Sequence, residues 1–357
     1  MTSQISAKLE LNREAFSLNA ELNIPASGIT VLFGSSGAGK TTLLRAIAGL
    51  EKCSGKVQVA DEIWQDETRF LSPHERALGY VFQESSLLEH LSVRGNLEYG
   101  YKRVAPGNRL MDFSTAVELL GLSSLLDRSA TQLSGGERKR AAIARALLSS
   151  PKLLLMDEPL ASLDQQHKNE LMPFLENLRD QLSVPIIYVS HSPDEVARLA
   201  DHLVLIEQGK VLATGPANEI LTRFDLPLAH DFDASAIIET RPGAYDSQFD
   251  LSSLEFDGGS LLVPGKIQAT GSSLRVRILA RDVSLTLQHQ SETSILNIVA
   301  ARVVEMSPDD SARMLVKLDA NGIILLARIT RKSGTALKLT PGLAVYAQIK
   351  TVALLSP

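Results

Sequence analysis

Hydrophobic positions along the chain fall into two regimes. Up to about residue 230, short unbroken apolar runs alternate with stretches of helical period. The runs 29–33, 153–156 and 186–190 have no polar face, the signature of strands buried on both sides in a parallel sheet. Further strands are expected at 7–11, 16–24, 55–59 and 79–82, and helices at 42–50, within 92–126, and at 137–148. Leu203 to Ile206, the turn Gln208-Gly209 and Val211 to Ala213 predict a hairpin at the sheet margin. Beyond residue 230 the helical runs stop. Short alternating strands follow at 251–256, 261–263, 274–278, 298–304, 314–318, 323–329 and 345–349, separated by turn signals such as Asp257-Gly258-Gly259 and Asn321-Gly322. The pattern predicts an α/β layer, then a small all-β barrel or sandwich.

The first strand–helix junction carries Gly34-Ser35-Ser36-Gly37-Ala38-Gly39-Lys40-Thr41, a complete phosphate-loop match between a predicted strand and a predicted helix. Its glycines let backbone N–H groups turn toward the β- and γ-phosphates of a nucleotide. Lys40 reaches the outer phosphates as a point charge, and Thr41 offers a hydroxyl to Mg²⁺; Thr42 continues the first helical turn. Phe16 is an aromatic able to stack on a base, and equally a core phenylalanine.

Three more stretches carry chemistry. Ser134-Gly135-Gly136-Glu137 has capping-box spacing at the start of a helix, either an anion site at the positive helix end or an ordinary capped helix. Asp157, at the tip of an apolar strand, is placed to hold Mg²⁺, and Glu158 beside it to take a proton from an attacking water. Strand 186–190 delivers His191 to a strand-to-helix turn, where Ser192, Pro193 and Glu195 predict a cap, a pre-set first position and a capping box.

Composition narrows the class. Hydrophobic residues make up 44% of 357, enough for two cores, and the formal net charge of −5 gives no case for a nucleic-acid partner. The lone cysteine, Cys53, excludes an intrachain disulfide and fits a reducing compartment. Residues 1–10 lack the basic-then-apolar layout of a signal peptide, and no run reaches 18 apolar residues.

Together, the phosphate loop, Gln83, the stretch Leu133 to Glu137, Asp157-Glu158, the loop Ser162-Leu163-Asp164 and His191 occur in an order that resembles the ATP-binding-cassette (ABC) ATPases. The resemblance covers most of 1–230. It implies an α/β P-loop domain that pairs head to tail as a homodimer, sandwiching ATP and Mg²⁺ between Lys40 of one copy and Ser134-Gly135-Gly136 of the other. It makes Glu158 the residue that polarises water and His191 the holder of the γ-phosphate. Gln83 becomes the sensor of Mg²⁺ and γ-phosphate, coupled to a membrane-partner surface near 84–100, and Asp164 the coupler of the two sites.

The tail, about 291–356, resembles the molybdate-binding β-domain (Mop/TOBE-like, OB-like) attached to molybdate-importer ATPases. Thr293, Ser294, Asn297 and Lys350 stand at that module's oxyanion positions, while Leu296 replaces its usual arginine and Ala301 its usual glycine. The expected organisation is an ABC domain over 1–230, a linking β segment over 231–290 and the oxyanion module over 291–357. The expected setting is the cytoplasmic face of the inner membrane, docked on two transmembrane permease subunits served by a separate substrate-binding protein. A sulfate, sugar, iron or polyamine importer, a soluble ABC ATPase, and a purely structural dimerisation tail are the rival readings.

Overall fold

The computed structural model describes residues 4–13, 16–84, 86–161, 163–267 and 274–355. Ser162, and the first three residues of the stretch inspected for a signal peptide, lie outside them. Two compact units divide at Pro216/Ala217, not at 230.

The first unit is built on one ten-stranded sheet. Its strands are β1 (Gln4–Arg13), β2 (Phe16–Pro25), β3 (Ile29–Phe33), β4 (Ser54–Val59), β5 (Glu62–Gln65), β6 (Leu78–Val81), β7 (Leu153–Asp157), β8 (Ile186–Ser190), β9 (His202–Glu207) and β10 (Lys210–Pro216). Its helices are α1 (Lys40–Ile47), α2 (Val93–Tyr101), α3 (Phe113–Leu119), α4 (Gly135–Leu148), α5 (Gln165–Gln181) and α6 (Pro193–Leu199). The order across the sheet is β5-β4-β1-β2-β10-β9-β3-β8-β7-β6.

The strands β3, β7 and β8 are buried along their whole length, as their unbroken apolar runs require. They run parallel, with β8 between β3 and β7 and with β6 outside β7. Register aligns their ends: Phe33 pairs with Ser190, Asp157 with Val189, and Val81 with Met156. The chain leaves each of these strands at the same sheet edge, so four segments distant in sequence converge there.

The hairpin β9–β10 forms, but not at the margin: it lies mid-sheet, between β3 and β2. Its apolar strand β9 pairs parallel with β3, so what reads locally as an edge hairpin joins the parallel half to the antiparallel half. The helix expected over 42–50 is Lys40–Ile47; positive φ at Gly49 ends the turn beyond it. The β5 strand was hidden in a polar stretch; its Trp64, flanked in sequence by Glu62 and Asp66, is fully buried in the main apolar core.

The second unit holds α7 (Ala217–Leu221), α8 (Pro227–His230), β11 (Ser235–Asp246), β12 (Leu251–Phe256), β13 (Gly259–Pro264), β14 (Leu274–Leu279), β15 (Val283–Thr286), β16 (Asn297–Pro308), β17 (Arg313–Ala320), β18 (Ile323–Thr330), α9 (Arg331–Ala336), β19 (Ala344–Ile349) and β20 (Ala353–Leu354). Its antiparallel sheets run β13-β12-β11-β14-β20 and β15-β19-β16-β17-β18. The β17–β18 turn has φ of 54° at Asn321 and 90° at Gly322, the backbone that an Asn-Gly hairpin predicts. Ile238, Val276 and Ile278 of the first sheet share one apolar core with Val299, Val316 and Ala347 of the second. The described strands of the expected linking β segment, 231–290, therefore share one core with the strands that follow. Strand β11 escaped the sequence reading because Pro242 and a register shift between Pro242 and Tyr245 break its alternation.

Candidate functional site

Strand β3 ends at the phosphate loop. Gly34, Ala38 and Lys40 are buried, while Ser35, Ser36 and Gly37 face solvent. Gly39 has φ of 103°, and a Cβ there would stand 2.7 Å from the Phe16 ring, so only glycine fits. That same contact brings Phe16, half-buried at the margin of the main core, against the loop. The Lys40 ammonium donates to the carbonyls of Gly34 and Ser35, each at 2.8 Å. Burial lowers its proton affinity, and Glu158 and Asp157 oppose the shift. The lysine is thus held within the loop by groups that a phosphate would displace. Thr42 follows in the first turn of α1, half-buried.

Asp157 terminates β7 and is 4% exposed. Thr41 Oγ1 donates to its Oδ1 at 2.8 Å, and Tyr80 Oη to its Oδ2 at 3.2 Å. Burial raises the carboxyl above the usual range, against the two hydrogen bonds. Burial beside this carboxylate also raises the Tyr80 phenol, keeping it a donor. One hydroxyl and one carboxylate form a hard-oxygen set of the kind Mg²⁺ uses when a substrate's phosphates and water supply the other ligands. These residues fit the implied metal.

Glu158 takes a φ of 41°, an uncommon backbone for a side chain of its size. Its Oε1 lies 3.4 Å from Nδ1 of His191, which follows β8. Behind that turn, Ser192 accepts from the Glu195 N–H at 3.4 Å, but the reciprocal half of the expected capping box is missing. The Glu195 carboxylate is buried and instead accepts from Tyr188 Oη at 2.9 Å and Ser190 Oγ at 2.6 Å, while Ser190 Oγ accepts from the Ser192 N–H. The glutamate braces the strand end that presents His191.

The Ser134 capping box does form. Ser134 Oγ accepts from the Glu137 N–H at 3.3 Å, and Glu137 Oε2 accepts from the Ser134 N–H at 2.8 Å. A Cβ on Gly135 would meet Leu163 at 3.2 Å, and one on Gly136 would meet His167 at 3.4 Å. Asp164 caps α5, accepting from the His167 N–H at 2.9 Å, and lies 2.8 Å from His167 Nδ1. Ser134 and Gly135 are exposed, and Gly136 is buried against His167, so the start of α4 adjoins the start of α5 that Asp164 caps.

Gln83 has an exposed side chain just past β6. Segment 88–92 behind it is pinned by buried Asn96, which accepts from the Leu88 N–H at 2.7 Å and donates to the Leu88 carbonyl at 3.0 Å.

Three residues at this edge were not singled out from sequence. Tyr80 faces Asp157. Lys139 reaches the Gln83 carbonyl; burial lowers it to about 8, while Asp157 and Glu84 favour its charge. Gly209 donates its N–H to Ala38 O at 2.9 Å, accepts from the Asn19 N–H at 2.8 Å, and has Ser17 O only 2.0 Å from where a Cβ would lie. For Gly209 the signal was the turn itself; nothing local says that the turn backs the phosphate loop.

In the tail the expected oxyanion set is only partly grouped. Thr293 Oγ1 accepts from the Ile295 N–H at 3.1 Å, and Ser294 is exposed. Asn297 is buried with its amide committed: Oδ1 accepts from the Leu262 N–H at 2.6 Å and Nδ2 donates to the Leu262 carbonyl at 3.0 Å. Lys350 is exposed beyond β19, where Ile349 pairs with Asn297.

The ABC transporter family profile matches residues 18–161, and the TOBE domain profile matches 293–355. Over 98% of its length the chain is 52% identical to a molybdenum import ATP-binding protein ModC of Aromatoleum aromaticum, covering 94% of that protein. This chain belongs to the ABC transporter ATP-binding family. Within it, a ModC protein of Pseudomonas fluorescens is also 52% identical, over 99% of both chains. Among solved structures, CbiO1 of Clostridium perfringens, part of an ABC transporter complex, superposes with a TM-score of 0.54 at 26% identity, covering 64% of this chain and 94% of that one. The family accounts for the shared sheet edge; the TOBE match covers only the latter part of the second unit.

Proposed function

We propose that this chain is the ATP-hydrolysing subunit of a molybdate importer. The observation that carries the reading is the convergence on one sheet edge of Lys40 and Thr41, Asp157 and Glu158, and His191. Likeness to ModC proteins over nearly the whole chain supports the cargo, and the TOBE match supports the tail.

The loop amides and Lys40 bind the β- and γ-phosphates. Thr41 and Asp157 would hold Mg²⁺, with Gln83 the candidate to sense it; when bound, the ion would neutralise charge on the transferring phosphoryl group. Glu158 accepts a proton from water as the water oxygen bonds to the γ-phosphorus and the bond to the β–γ bridging oxygen breaks, leaving ADP and phosphate. His191 orients the γ-phosphate and the water. Ser134, Gly135 and Gly136 of a second copy close the site with helix-end N–H groups, and Asp164 couples the paired sites. Phe16 stands beside the loop, where a base can stack.

Two copies dock on two permease subunits at the cytoplasmic face of the inner membrane, with cargo delivered by a separate binding protein. Among the described residues no helix is long and apolar enough to cross a bilayer. Nucleic acid has no role in this reading.

Thr293, Ser294 and Lys350 are the candidates for oxyanion binding in the tail. One observation favours a structural tail instead: Asn297 spends both amide atoms on Leu262. Equilibrium dialysis of the full chain against molybdate decides between them; no binding at millimolar concentration removes the regulatory site. The whole reading is tested by reconstituting the chain with its permease in vesicles. ATP hydrolysis stimulated by molybdate and its binding protein is expected; stimulation by sulfate alone overturns the cargo.

A further inference from the structure

Strand β6 is the outer strand of its sheet, and its ladder to β7 ends at Val81↔Met156. Phe82 and Gln83 continue past the ladder, so their carbonyls need donors from elsewhere. Both are met by one side chain. Lys139 Nζ donates to Phe82 O at 3.1 Å and also to Gln83 O. Lys139 is only 2% exposed, although an ammonium is among the costliest groups to bury. It sits on α4, one turn beyond Gly135 and Gly136. A buried cation aimed at two backbone carbonyls beyond the ladder is expensive as mere packing; a methionine would fill the same space without desolvating a charge.

We infer that Lys139 is a positioning residue that fastens the backbone of Gln83 to the helix bearing Ser134, Gly135 and Gly136, so that the two halves of the chain's nucleotide machinery shift as one piece. The inference rests on the proposed ATPase reading and goes beyond it: Lys139 touches neither nucleotide nor water in that scheme. Without the fastening, each half still binds its own ligands, but Gln83 no longer follows the α4 helix. Removal therefore depresses turnover and spares nucleotide affinity.

The test compares Lys139→Met, which keeps the stem and removes the donor, with Lys139→Gln, which restores a neutral donor. Both are made in the full chain assembled with its permease. The readouts are steady-state kcat and KM for ATP, and fluorescent-nucleotide affinity. Lys139→Met is expected to lose about tenfold or more in kcat with nucleotide affinity changed less than about twofold, and Lys139→Gln to recover most of the rate. Unchanged kcat in Lys139→Met overturns the inference. So does a joint loss of kcat and affinity that Gln does not rescue, since that is the mark of a misfolded site. The unsubstituted complex is measured alongside; no ATP hydrolysis by it sinks the ATPase reading itself and this inference with it, whereas a failure confined to the Lys139 variants sinks only the latter.

Discussion

Thr41 Oγ1 donates to Asp157 Oδ1 at 2.8 Å, tying the first turn of α1 to the tip of β7. The hydroxyl and carboxylate proposed for Mg²⁺ thus hold one another, and the hydroxyl can keep donating to the carboxylate while its oxygen lone pairs stay free for the ion. Thr41→Val and Asp157→Asn should each raise the Mg²⁺ concentration for half-maximal ATPase activity by about tenfold or more, as expected for removing one ligand of a hard cation. A magnesium titration with unchanged midpoint in both variants would take these residues out of the metal site.

Glu158→Gln keeps the side-chain shape and removes the base. Turnover should fall by roughly 10²–10⁴, the range for loss of general-base catalysis, with ATP binding retained. Hydrolysis within a few-fold of the parent would refute the assignment.

Lys40→Ala removes a charged donor from the phosphate loop. Nucleotide affinity should drop by about one to two orders of magnitude, following about 1.5–3 kcal/mol for a charge-assisted hydrogen bond. Equal affinity by fluorescent-nucleotide titration would contradict the loop's role.

Composite catalysis has a direct test by mixing. Lys40→Ala and Ser134→Arg should each be inactive as pure species. Co-assembled, they leave one site with both halves intact, and measurable ATPase activity should return. No recovery in a mixed complex shown to contain both chains would argue against a site shared between copies.

Asp164 and His167 form a titratable pair beside Gly136. The His167 N–H, followed by the His167 ring, holds the Asp164 carboxyl below its usual range, and the hydrogen bond to Asp164 raises the His167 imidazole. The histidine's contribution is complete below its ordinary pKa and is lost as pH rises through the raised one. On the acid side the aspartate's contribution is lost as pH falls through its depressed value. An NMR titration should place the His167 midpoint above roughly 6.5, and Asp164→Asn should bring it back. A midpoint that ignores Asp164 would show the contact to be absent in solution.

Where chemistry is encoded locally, the chain was readable. The phosphate loop, the Ser134–Glu137 box and the apolar strand ending in Asp157 each declare themselves within a dozen residues, and each forms as expected. What escaped depends on neighbours far off in sequence. The β9–β10 hairpin looked marginal because nothing in it reveals that β3 takes its apolar strand as a partner. Glu195 has capping-box spacing, yet two hydroxyls, from Tyr188 and Ser190, outcompete the Ser192 N–H for its carboxylate. Asn297 reads as a ligand until Leu262 of another strand is seen against it. Lys139 carries no local sign that two carbonyls beyond the β6 ladder await it.

Gly209 sits where the sheet's antiparallel half meets its parallel half, and the ladder across that boundary is a single pairing, Lys210↔Asn19. The same glycine grips Ala38 of the phosphate loop. The phosphate loop is therefore one hydrogen bond away from the narrowest stitch in the sheet, and the glycine that backs the loop also helps hold the β5-β4-β1-β2 block to the rest.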